Sequence, residues 1–240
     1  MQLSNNKILI TGGGSGIGLA LAEQFIKEGN EVIICGRRAS VLEEATAANP
    51  SIITISADLS TSEGRTGLFN WIMAHHPDLS VLVNNAGIQQ WMNISDNDFY
   101  KKAEEEVAVN VLAPVHLCSL FQNLPSLKVI MNVTSGLSFA PLTKVPVYSA
   151  TKAFFHSFTL SLRYLLASRN IEVIELIPPA LNTDLGGKGL HDFAPPVKGF
   201  IEAVFSQLRE GKNSITYGFS ENMAAAGPEE LQKAFQRMNP

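Results

Sequence analysis

The segment Thr11-Gly12-Gly13-Gly14-Ser15-Gly16-Ile17-Gly18 decides the fold, because it joins an apolar run to a segment with helical periodicity. The run before it is Lys7–Thr11, and the apolar residues after it recur at helical spacing: Ile17, Ala20, Leu21 and Phe25. A glycine-rich turn here lets the backbone approach phosphate oxygens, and the helix N-terminus offers unpaired N–H groups. Taken alone, the turn is compatible with a phosphate site, but it is also compatible with a tight β–α connection that binds nothing.

Strand and helix patterns alternate along the whole chain. Apolar runs without polar alternation are typical of parallel strands covered on both faces, and they occur at Lys7–Thr11, Glu31–Cys35, Ile52–Ile55, Val81–Val83, Val129–Val133 and Val173–Ile177. After the first helix, which Gly29 would end, periodicity predicts helices at Val41–Ala48, Glu63–Ala74, Phe99–Leu124, Tyr148–Ser168 and Val197–Glu210. This order predicts an α/β fold, a Rossmann-type doubly wound parallel sheet with helices on both faces. A single domain over residues 1–240 is expected, with a mobile glycine- and proline-rich loop at about 181–196.

The composition argues against several classes of protein. The 240 residues include 18 basic and 22 acidic ones, without the basic stripe of a nucleic-acid or anionic-membrane binder. The two cysteines, Cys35 and Cys118, lie in apolar runs, so neither a disulfide framework nor a metal site is predicted. No secretory leader is recognisable, and no apolar run approaches the ~20 residues of a membrane span, so a cytoplasmic protein is expected.

The residues after the second predicted strand indicate which nicotinamide cofactor the protein would prefer. Enzymes that use NAD commonly place an acidic residue here, on the ribose hydroxyls, but this chain has Gly36, Arg37 and Arg38. A carboxylate would repel a 2′-phosphate, whereas a guanidinium pairs with it. The pattern favours NADP(H) over NAD(H), with Arg37 at the adenosine ribose. The alternative is a pair of solvated arginines that open a helix.

A second group of polar residues is typical of catalysis. Tyr148 and Lys152 are four residues apart at the start of a helix, so both side chains share one face. This spacing alone is weak, but Ser135 follows the strand Val129–Val133, at the edge where open α/β sheets bind ligands. Asn110 lies in the preceding long helix. Taken alone, a serine after a strand more commonly caps the strand end than takes part in chemistry.

Together these residues resemble the motifs of the short-chain dehydrogenase/reductase family. The matching strings are Thr11-Gly12…Gly16-Ile17-Gly18, Asp58-Leu59, Asn84-Asn85-Ala86-Gly87, Asn110, Ser135, Tyr148-Ser149-Ala150-Thr151-Lys152 and Pro178…Thr183. Three further strings are similar to its DltE-type branch of bacterial oxidoreductases: Val133-Thr134-Ser135-Gly136-Leu137, Ile177-Pro178-Pro179-Ala180 and Tyr217-Gly218-Phe219-Ser220-Glu221.

The resemblance implies a role for each residue. It implies a catalytic set of Asn110, Ser135, Tyr148 and Lys152, in which Tyr148 is the general acid/base, Ser135 binds the carbonyl oxygen and Lys152 lowers the tyrosine pKa. The implied cofactor contacts are Gly12, Gly14, Ser15, Gly16, Ile17, Gly18, Arg37, Arg38, Asp58, Leu59, Asn85, Ala86, Gly87, Tyr148, Lys152, Pro178 and Thr183. Without the family, Asp58 is as well explained as the N-cap of the next helix.

The resemblance implies an NADP(H)-dependent oxidoreductase of a small carbonyl or alcohol. A non-catalytic NADP(H)-binding sensor or scaffold is the alternative, although it would need only the glycine turn and the ribose contacts. A serine hydrolase is disfavoured, because the chain lacks a Gly-x-Ser-x-Gly elbow. No C-terminal strand segment is recognisable after Ile215-Thr216-Tyr217, so a homodimer through the helices Phe99–Leu124 and Tyr148–Ser168 is expected rather than a tetramer.

Two expectations concern the details of the site. Gln89–Met92 and the loop Leu181–Phe193 are expected to form a largely apolar pocket over Ser135 and Tyr148. Pro114 lacks the N–H that a regular helix would direct at the Asn110 carbonyl, so the helix should bend there. The resemblance implies a water on that carbonyl, within reach of Lys152. The alternative is a kinked helix whose carbonyl is satisfied by a side chain.

Overall fold

A seven-stranded parallel sheet of order β3-β2-β1-β4-β5-β6-β7 forms the centre of the computed structural model, which describes residues 1–240. The strands are β1 (Lys7–Thr11), β2 (Glu31–Gly36), β3 (Ile52–Ser56), β4 (Val81–Asn84), β5 (Val129–Val133), β6 (Glu172–Ile177) and β7 (Ser214–Thr216). The strand order reverses between β1 and β4, which opens a crevice at the carboxyl ends of these strands. The predicted α/β, doubly wound parallel fold in a single domain is confirmed.

Helices cover both faces of the sheet. They are α1 (Gly16–Lys27), α2 (Ala39–Ala48), α3 (Ser62–His75), α4 (Phe99–Val107), α5 (Ala113–Phe121), α6 (Pro146–Leu166), α7 (Val197–Arg209), α8 (Phe219–Ala225) and α9 (Pro228–Met238). Successive residues of β1 serve two separate cores, because Ile8 and Ile10 pack with Phe25 on one face and Leu9 packs with Phe121 on the other. None of the helices combines the length and apolarity needed to cross a lipid bilayer.

The seventh strand was not among the predicted strands, whereas only helices follow it, in line with the expectation that no strand segment lies after Tyr217. Ser214–Thr216 pairs with the end of β6, with Ile215 opposite Leu176. Only Ile215 of this strand is buried, so the sequence lacks the apolar run that marks the other strands. The chain then reaches Ser220, whose buried hydroxyl donates to the Ile177 carbonyl and fastens the C-terminal part to the end of β6.

The long helix predicted over Phe99–Leu124 is not continuous. A π-helical turn at Ala108–Leu112 separates α4 from α5, and the Ala113 N–H bonds to the Ala108 carbonyl. Pro114 thereby falls in the first turn of α5, a position at which helices tolerate proline. The helix accommodates the proline by widening one turn rather than by a simple bend, and Asn110 lies in that turn.

The connection Leu181–Pro196 is closed at its base. The Asn182 N–H donates to the Pro195 carbonyl at 2.9 Å, and Asn182 forms an isolated parallel bridge with Pro196. Between these anchors the chain contains no helix or strand. The mobility of this loop stays a prediction.

Candidate active site

The glycine turn after β1 forms a cradle at the start of α1. Gly12 and Gly16 have positive φ angles of 63° and 53°, and a Cβ on Gly12 would lie 2.8 Å from the Ala86 Cα. The Ser15 side chain does not cap α1, and the first turn of this helix has no acidic residue. The first N–H groups of α1 are therefore available to an anion.

Residues after β6 approach the same cradle. A Cβ on Gly16 would lie 3.3 Å from the Thr183 Cγ2, so Thr183 borders the glycine turn. The Pro178 carbonyl accepts the Gly136 N–H at 3.0 Å, which ties the end of β6 to the segment that carries Ser135. The crevice thus brings together the glycine turn, Pro178 and Thr183.

The ends of β1 and β4 are locked together by side chains. The Thr11 Oγ1 accepts the N–H groups of Asn85 and Ala86, both at 3.0 Å. The Asn85 Nδ2 donates to the carbonyls of Thr11 at 2.9 Å and Gly12 at 3.1 Å. Asn85 therefore shapes the crevice, and its side chain is occupied by protein partners. Thr11 is the first residue of the glycine motif that resembles the family, but the sequence assigned it no role of its own.

Arg37 and Asp58 lie near each other at the mouth of the crevice. Hydrogen bonds from Ser60 are the main reason that the pKa of Asp58 is low, and the positive charge of Arg37 lowers it further. Arg37 and Arg38 are both exposed after β2, and Arg38 immediately precedes α2. An exposed guanidinium at this position is free to meet an anionic ligand.

Asp58 is not the cap of α3. Its Oδ1 accepts the Ser60 N–H at 3.0 Å and the Ser60 hydroxyl at 2.7 Å. Thr61 is the N-cap instead, and its Oγ1 accepts the Gly64 N–H at 3.0 Å. Leu59 beside it is buried in the core under α3 and α5. The capping alternative for Asp58 is therefore wrong.

Ser135, Tyr148 and Lys152 meet beyond the carboxyl end of β5, where they are 7%, 6% and 5% exposed. The Ser135 hydroxyl lies beside Tyr148, and its hydrogen bond favours the ionised tyrosine. The Lys152 Nζ lies 5.6 Å from the centre of the Tyr148 ring and donates to the Val133 carbonyl at 2.8 Å. The three side chains therefore share one water-poor end of the crevice.

Burial controls the ionisation of these groups. It raises the pKa of Tyr148 above its ordinary value of 10.0 despite the Ser135 hydrogen bond, and the nearby Glu106 raises this pKa further. Burial also lowers the pKa of Lys152 to about 8. The expected lowering of the tyrosine pKa by Lys152 and an oxidised nicotinamide stays a prediction, because burial dominates the pKa of Tyr148 in the protein alone. Tyr148 therefore holds its proton at neutral pH.

Asn110 is buried in the π-helical turn, and its side chain is fully engaged. Its Oδ1 accepts the Ile88 N–H at 2.8 Å, and its Nδ2 donates to the Ile88 carbonyl at 2.8 Å and the Thr151 Oγ1 at 3.2 Å. No hydrogen bond joins a side-chain donor to the Asn110 main-chain carbonyl, which removes the alternative of a side-chain partner. The water on this carbonyl stays a prediction.

Glu106, which the sequence analysis did not single out, lies one turn before Asn110 and is 0% exposed. Its Oε1 accepts the Gln90 N–H at 2.6 Å, whereas its Oε2 is buried without a hydrogen-bond partner. Burial raises the pKa of this carboxyl to about 7. The only signal in the sequence was its i, i+4 spacing from Asn110, which puts both side chains on one helix face.

The predicted pocket residues are brought together in part. Gln89 is buried beneath the loop 181–196, because a Cβ on Gly186 would lie 3.1 Å from the Gln89 carbonyl oxygen. Met92 is buried, whereas Trp91 is 49% exposed, with the Lys144 Nζ 5.4 Å from the ring centre. The expectation of a largely apolar pocket is wrong in one respect, because Gln89 and the adjacent Glu106 contribute polar side chains with unpartnered oxygens.

The site as a whole fits a nicotinamide dinucleotide. The uncapped start of α1 suits a pyrophosphate, Arg37 suits an anionic group on the distal ribose, and Lys152 suits the ribose hydroxyls at the catalytic end. No three His, Cys, Asp or Glu side chains are grouped so that they could hold a metal ion.

The chain belongs to the short-chain dehydrogenase family, because a family model described as short chain dehydrogenase matches residues 6–192. It is 41% identical to an uncharacterized oxidoreductase DltE of Bacillus subtilis, over 100% of this chain and 98% of that protein. This match confirms the resemblance to the DltE branch. The chain is also 30% identical to an L-xylulose reductase of Caenorhabditis elegans, over 92% of this chain and 91% of that protein.

Solved structures show the same fold. A short chain dehydrogenase from Burkholderia cenocepacia in complex with NADP has a TM-score of 0.83 at 22% identity, covering 98% of this chain and 99% of that one. A short-chain dehydrogenase from Sphingobium yanoikuyae in complex with NADPH has a TM-score of 0.79 at 22% identity, covering 97% and 94%. The protein is thus an oxidoreductase of a family that binds a nicotinamide cofactor.

Proposed function

We propose that this protein is an NADP(H)-dependent reductase of a small carbonyl compound, or dehydrogenase of the corresponding alcohol, with Tyr148 as general acid/base. The convergence of Ser135, Tyr148 and Lys152 at the buried end of the crevice carries the proposal. A protein that only sensed or stored the cofactor would need the glycine turn but not these three side chains together.

A bound nicotinamide supplies the hydride in reduction and accepts it in oxidation. Tyr148, whose raised pKa keeps it protonated at neutral pH, donates its proton to the substrate oxygen as the carbonyl carbon becomes an alcohol carbon. The Ser135 hydroxyl donates a hydrogen bond to the same oxygen and stabilises its developing charge. Oxidation requires the reverse transfer, in which the positive charge of Lys152 favours the tyrosinate.

The proton lost by Tyr148 has a route for replacement. Lys152 lies beside Tyr148, and the Asn110 carbonyl has no side-chain partner, so a water on this carbonyl would connect Lys152 to solvent. A crystal structure that resolves waters tests this relay. A water between the Asn110 carbonyl and the Lys152 Nζ is expected, and a well-resolved gap there would contradict the relay.

The preference for NADP(H) rests on Arg37. Its exposed guanidinium is close to Asp58 at the mouth of the crevice, and no acidic residue follows directly after β2. A 2′-phosphate would gain a charge-assisted contact there, whereas the 2′-hydroxyl of NAD(H) would gain much less.

The proposal includes a homodimer and a cytoplasmic location. Exposed apolar side chains lie on or between the helices α4, α5 and α6: Val107, Leu112, Phe154, Leu160, Tyr164 and Leu165. Pairing of these faces in two copies would cover them, and sedimentation analysis tests the dimer, which a monomer at micromolar concentration would contradict. The buried free thiols Cys35 and Cys118 are compatible with a reducing compartment.

Turnover separates this proposal from the sensor or scaffold. With NADPH and a panel of aldehydes and ketones, the reduced-nicotinamide absorbance should fall for at least one compound. A sensor would bind NADPH, with a change in its fluorescence, and would leave the absorbance unchanged with every compound.

A further inference from the structure

Two buried side-chain oxygens, one on the segment after β4 and one on the helix face against it, have no hydrogen-bond partner. They are the Oε2 of Glu106 and the Oε1 of Gln89, on side chains that are 0% and 7% exposed. An unpartnered buried acceptor destabilises the folded protein, and more so when it belongs to a charged group. Native proteins keep such atoms rarely, and a role in catalysis is one of the reasons for keeping them.

Gln89 belongs to the segment after β4, and Glu106 contacts this segment from α4. Gly87 lies next to Lys152, since a Cβ there would be 3.7 Å from the Lys152 Nζ. Three residues further, the Gln90 N–H bonds to Glu106. The segment between Gly87 and Gln90 therefore runs from Lys152 to Glu106, and Glu106 is close enough to Tyr148 for its charge to raise the tyrosine pKa.

The main-chain and amide donors described beside these two oxygens are already used. The Gln90 N–H is used by the other carboxylate oxygen of Glu106, and the Asn110 amide one turn away donates to Ile88 and Thr151. Gly186 of the loop 181–196 covers Gln89, and a Cβ there would lie 3.2 Å from the Gln89 Oε1. A donor for these atoms would have to enter with a ligand held under that loop.

We propose that the substrate carries a hydrogen-bond donor, a hydroxyl or an ammonium group, within two carbons of its reacting carbonyl, and that the Glu106 Oε2 and Gln89 Oε1 bind this donor. The inference rests on the proposed reductase function and adds the class of substrate. Ser135 and Tyr148 hold the carbonyl oxygen, and Glu106 and Gln89 hold the donor on the neighbouring carbon. A simple ketone of equal size would leave both acceptors unpaired in a closed site.

Matched ketones test this preference. The wild-type protein with NADPH is assayed with 2-hydroxyacetophenone, 2-aminoacetophenone and propiophenone, which differ only in the terminal hydroxyl, ammonium or methyl group. The pair 4-hydroxybutan-2-one and pentan-2-one places the donor one carbon further away. In at least one set, kcat/KM for the donor-bearing ketone should exceed that for the alkyl ketone by about tenfold to hundredfold. This is the factor expected from one buried hydrogen bond to a charged group. The two donors within the first set separate a hydroxyl from an ammonium ligand.

Glu106→Gln tests the assignment of the acceptor. Glutamine keeps an oxygen for the Gln90 N–H but replaces Oε2 with an NH₂ group, which donates rather than accepts. The ratio of kcat/KM between donor-bearing and alkyl ketones should fall to about twofold or less. Gln89→Leu removes the second acceptor without changing the bond between Glu106 and the Gln90 N–H, and it should also lower this ratio. Glu104→Gln removes the same charge from the exposed face of α4 and should leave the ratio at the wild-type value.

Each outcome decides a different claim. Equal kcat/KM for donor-bearing and alkyl ketones in both sets would overturn the inference and leave the reductase function intact. A ratio that survives in both Glu106→Gln and Gln89→Leu would show that other groups bind the donor. If no ketone of these sets or of a wider panel is reduced while NADPH binds, the proposed function fails, and the inference fails with it.

Discussion

Glu106 and Asn110 lie one helical turn apart and hold alternate N–H groups of one loop, that of Gln90 at 2.6 Å and that of Ile88 at 2.8 Å. The widened turn at Ala108–Leu112 separates the regular helix of Glu106 from α5 and carries Asn110. The loop that this pair holds borders Lys152 at one end, so the helix face that carries Asn110 also sets the position of the proposed substrate pocket.

Replacing Tyr148 by phenylalanine removes the proposed proton donor with little change in packing. Turnover of a carbonyl substrate should fall by about 10²-fold or more, the usual contribution of a positioned acid/base, while NADPH affinity stays within about twofold. Steady-state kinetics and a fluorescence titration measure the two effects. Tyr100→Phe, on an exposed tyrosine of α4, is the matched control. A Tyr148→Phe protein with most of its activity would remove Tyr148 from the mechanism.

Arg37→Asp should change cofactor affinity selectively. Loss of a charge-assisted contact, together with repulsion of the 2′-phosphate, should weaken NADPH binding by about tenfold to hundredfold and leave NADH binding nearly unchanged. Fluorescence titration of both cofactors gives the comparison. Arg169→Asp, at an exposed arginine beyond α6, controls for the change in net charge. Equal losses for NADPH and NADH would show that Arg37 does not bind the phosphate.

Glu106 makes stability depend on pH. Because burial raises its pKa from 4.5 to about 7, the folded protein binds more protons at Glu106 than the unfolded chain between these values. Its contribution to the free energy of unfolding is therefore complete below pH 4.5 and is lost as pH rises through 7, by about 3 kcal/mol. Denaturant unfolding of the wild type and Glu106→Gln at pH 5 and pH 8 measures it. Parallel behaviour of the two proteins would show that Glu106 ionises normally, and Glu104→Gln should follow the wild type.

The loop between Asn182 and Pro196 should close when the cofactor binds. Its ends are tied together, and Thr183 borders the glycine turn, so a dinucleotide in the crevice would contact the loop near its base. Amide hydrogen exchange across residues 181–193 should slow by about tenfold in the presence of saturating NADPH. Exchange in α9, far along the chain, serves as the internal reference. An unchanged rate across the loop would remove its role as a cover.

The parallel sheet was predictable because its strands are continuous apolar runs. Ile8, Leu9 and Ile10 are all buried, as expected when both faces of a strand are covered. β7 was missed because only Ile215 of its three residues is buried. Its place in the sheet depends on backbone pairing with the edge of β6. A strand fixed by tertiary pairing rather than by its own pattern leaves little signal in the sequence.

Parts of the site depend on packing that the local sequence does not determine. Pro114 predicts that the helix is disturbed, but either a kink or a widened turn can accommodate a residue without an N–H. The structure has the widened turn, and in it the Asn110 side chain bonds to Ile88. Glu106 was missed because a carboxylate on a charged helix is ordinarily solvated. Its burial arises from the loop after β4, which packs against it from a distant part of the chain.

Transfer of hydrogen from the cofactor to a carbonyl compound is the most direct test of the proposed reductase function. The protein is incubated with NADPH deuterated at the reactive position of the nicotinamide and with the ketones above, and the alcohols are analysed by mass spectrometry. One deuterium is expected on the alcohol carbon of at least one product, with a rate about 10²-fold lower in Tyr148→Phe. Deuterated NADPH that binds the protein but transfers no deuterium to any carbonyl compound tested would contradict the proposed function.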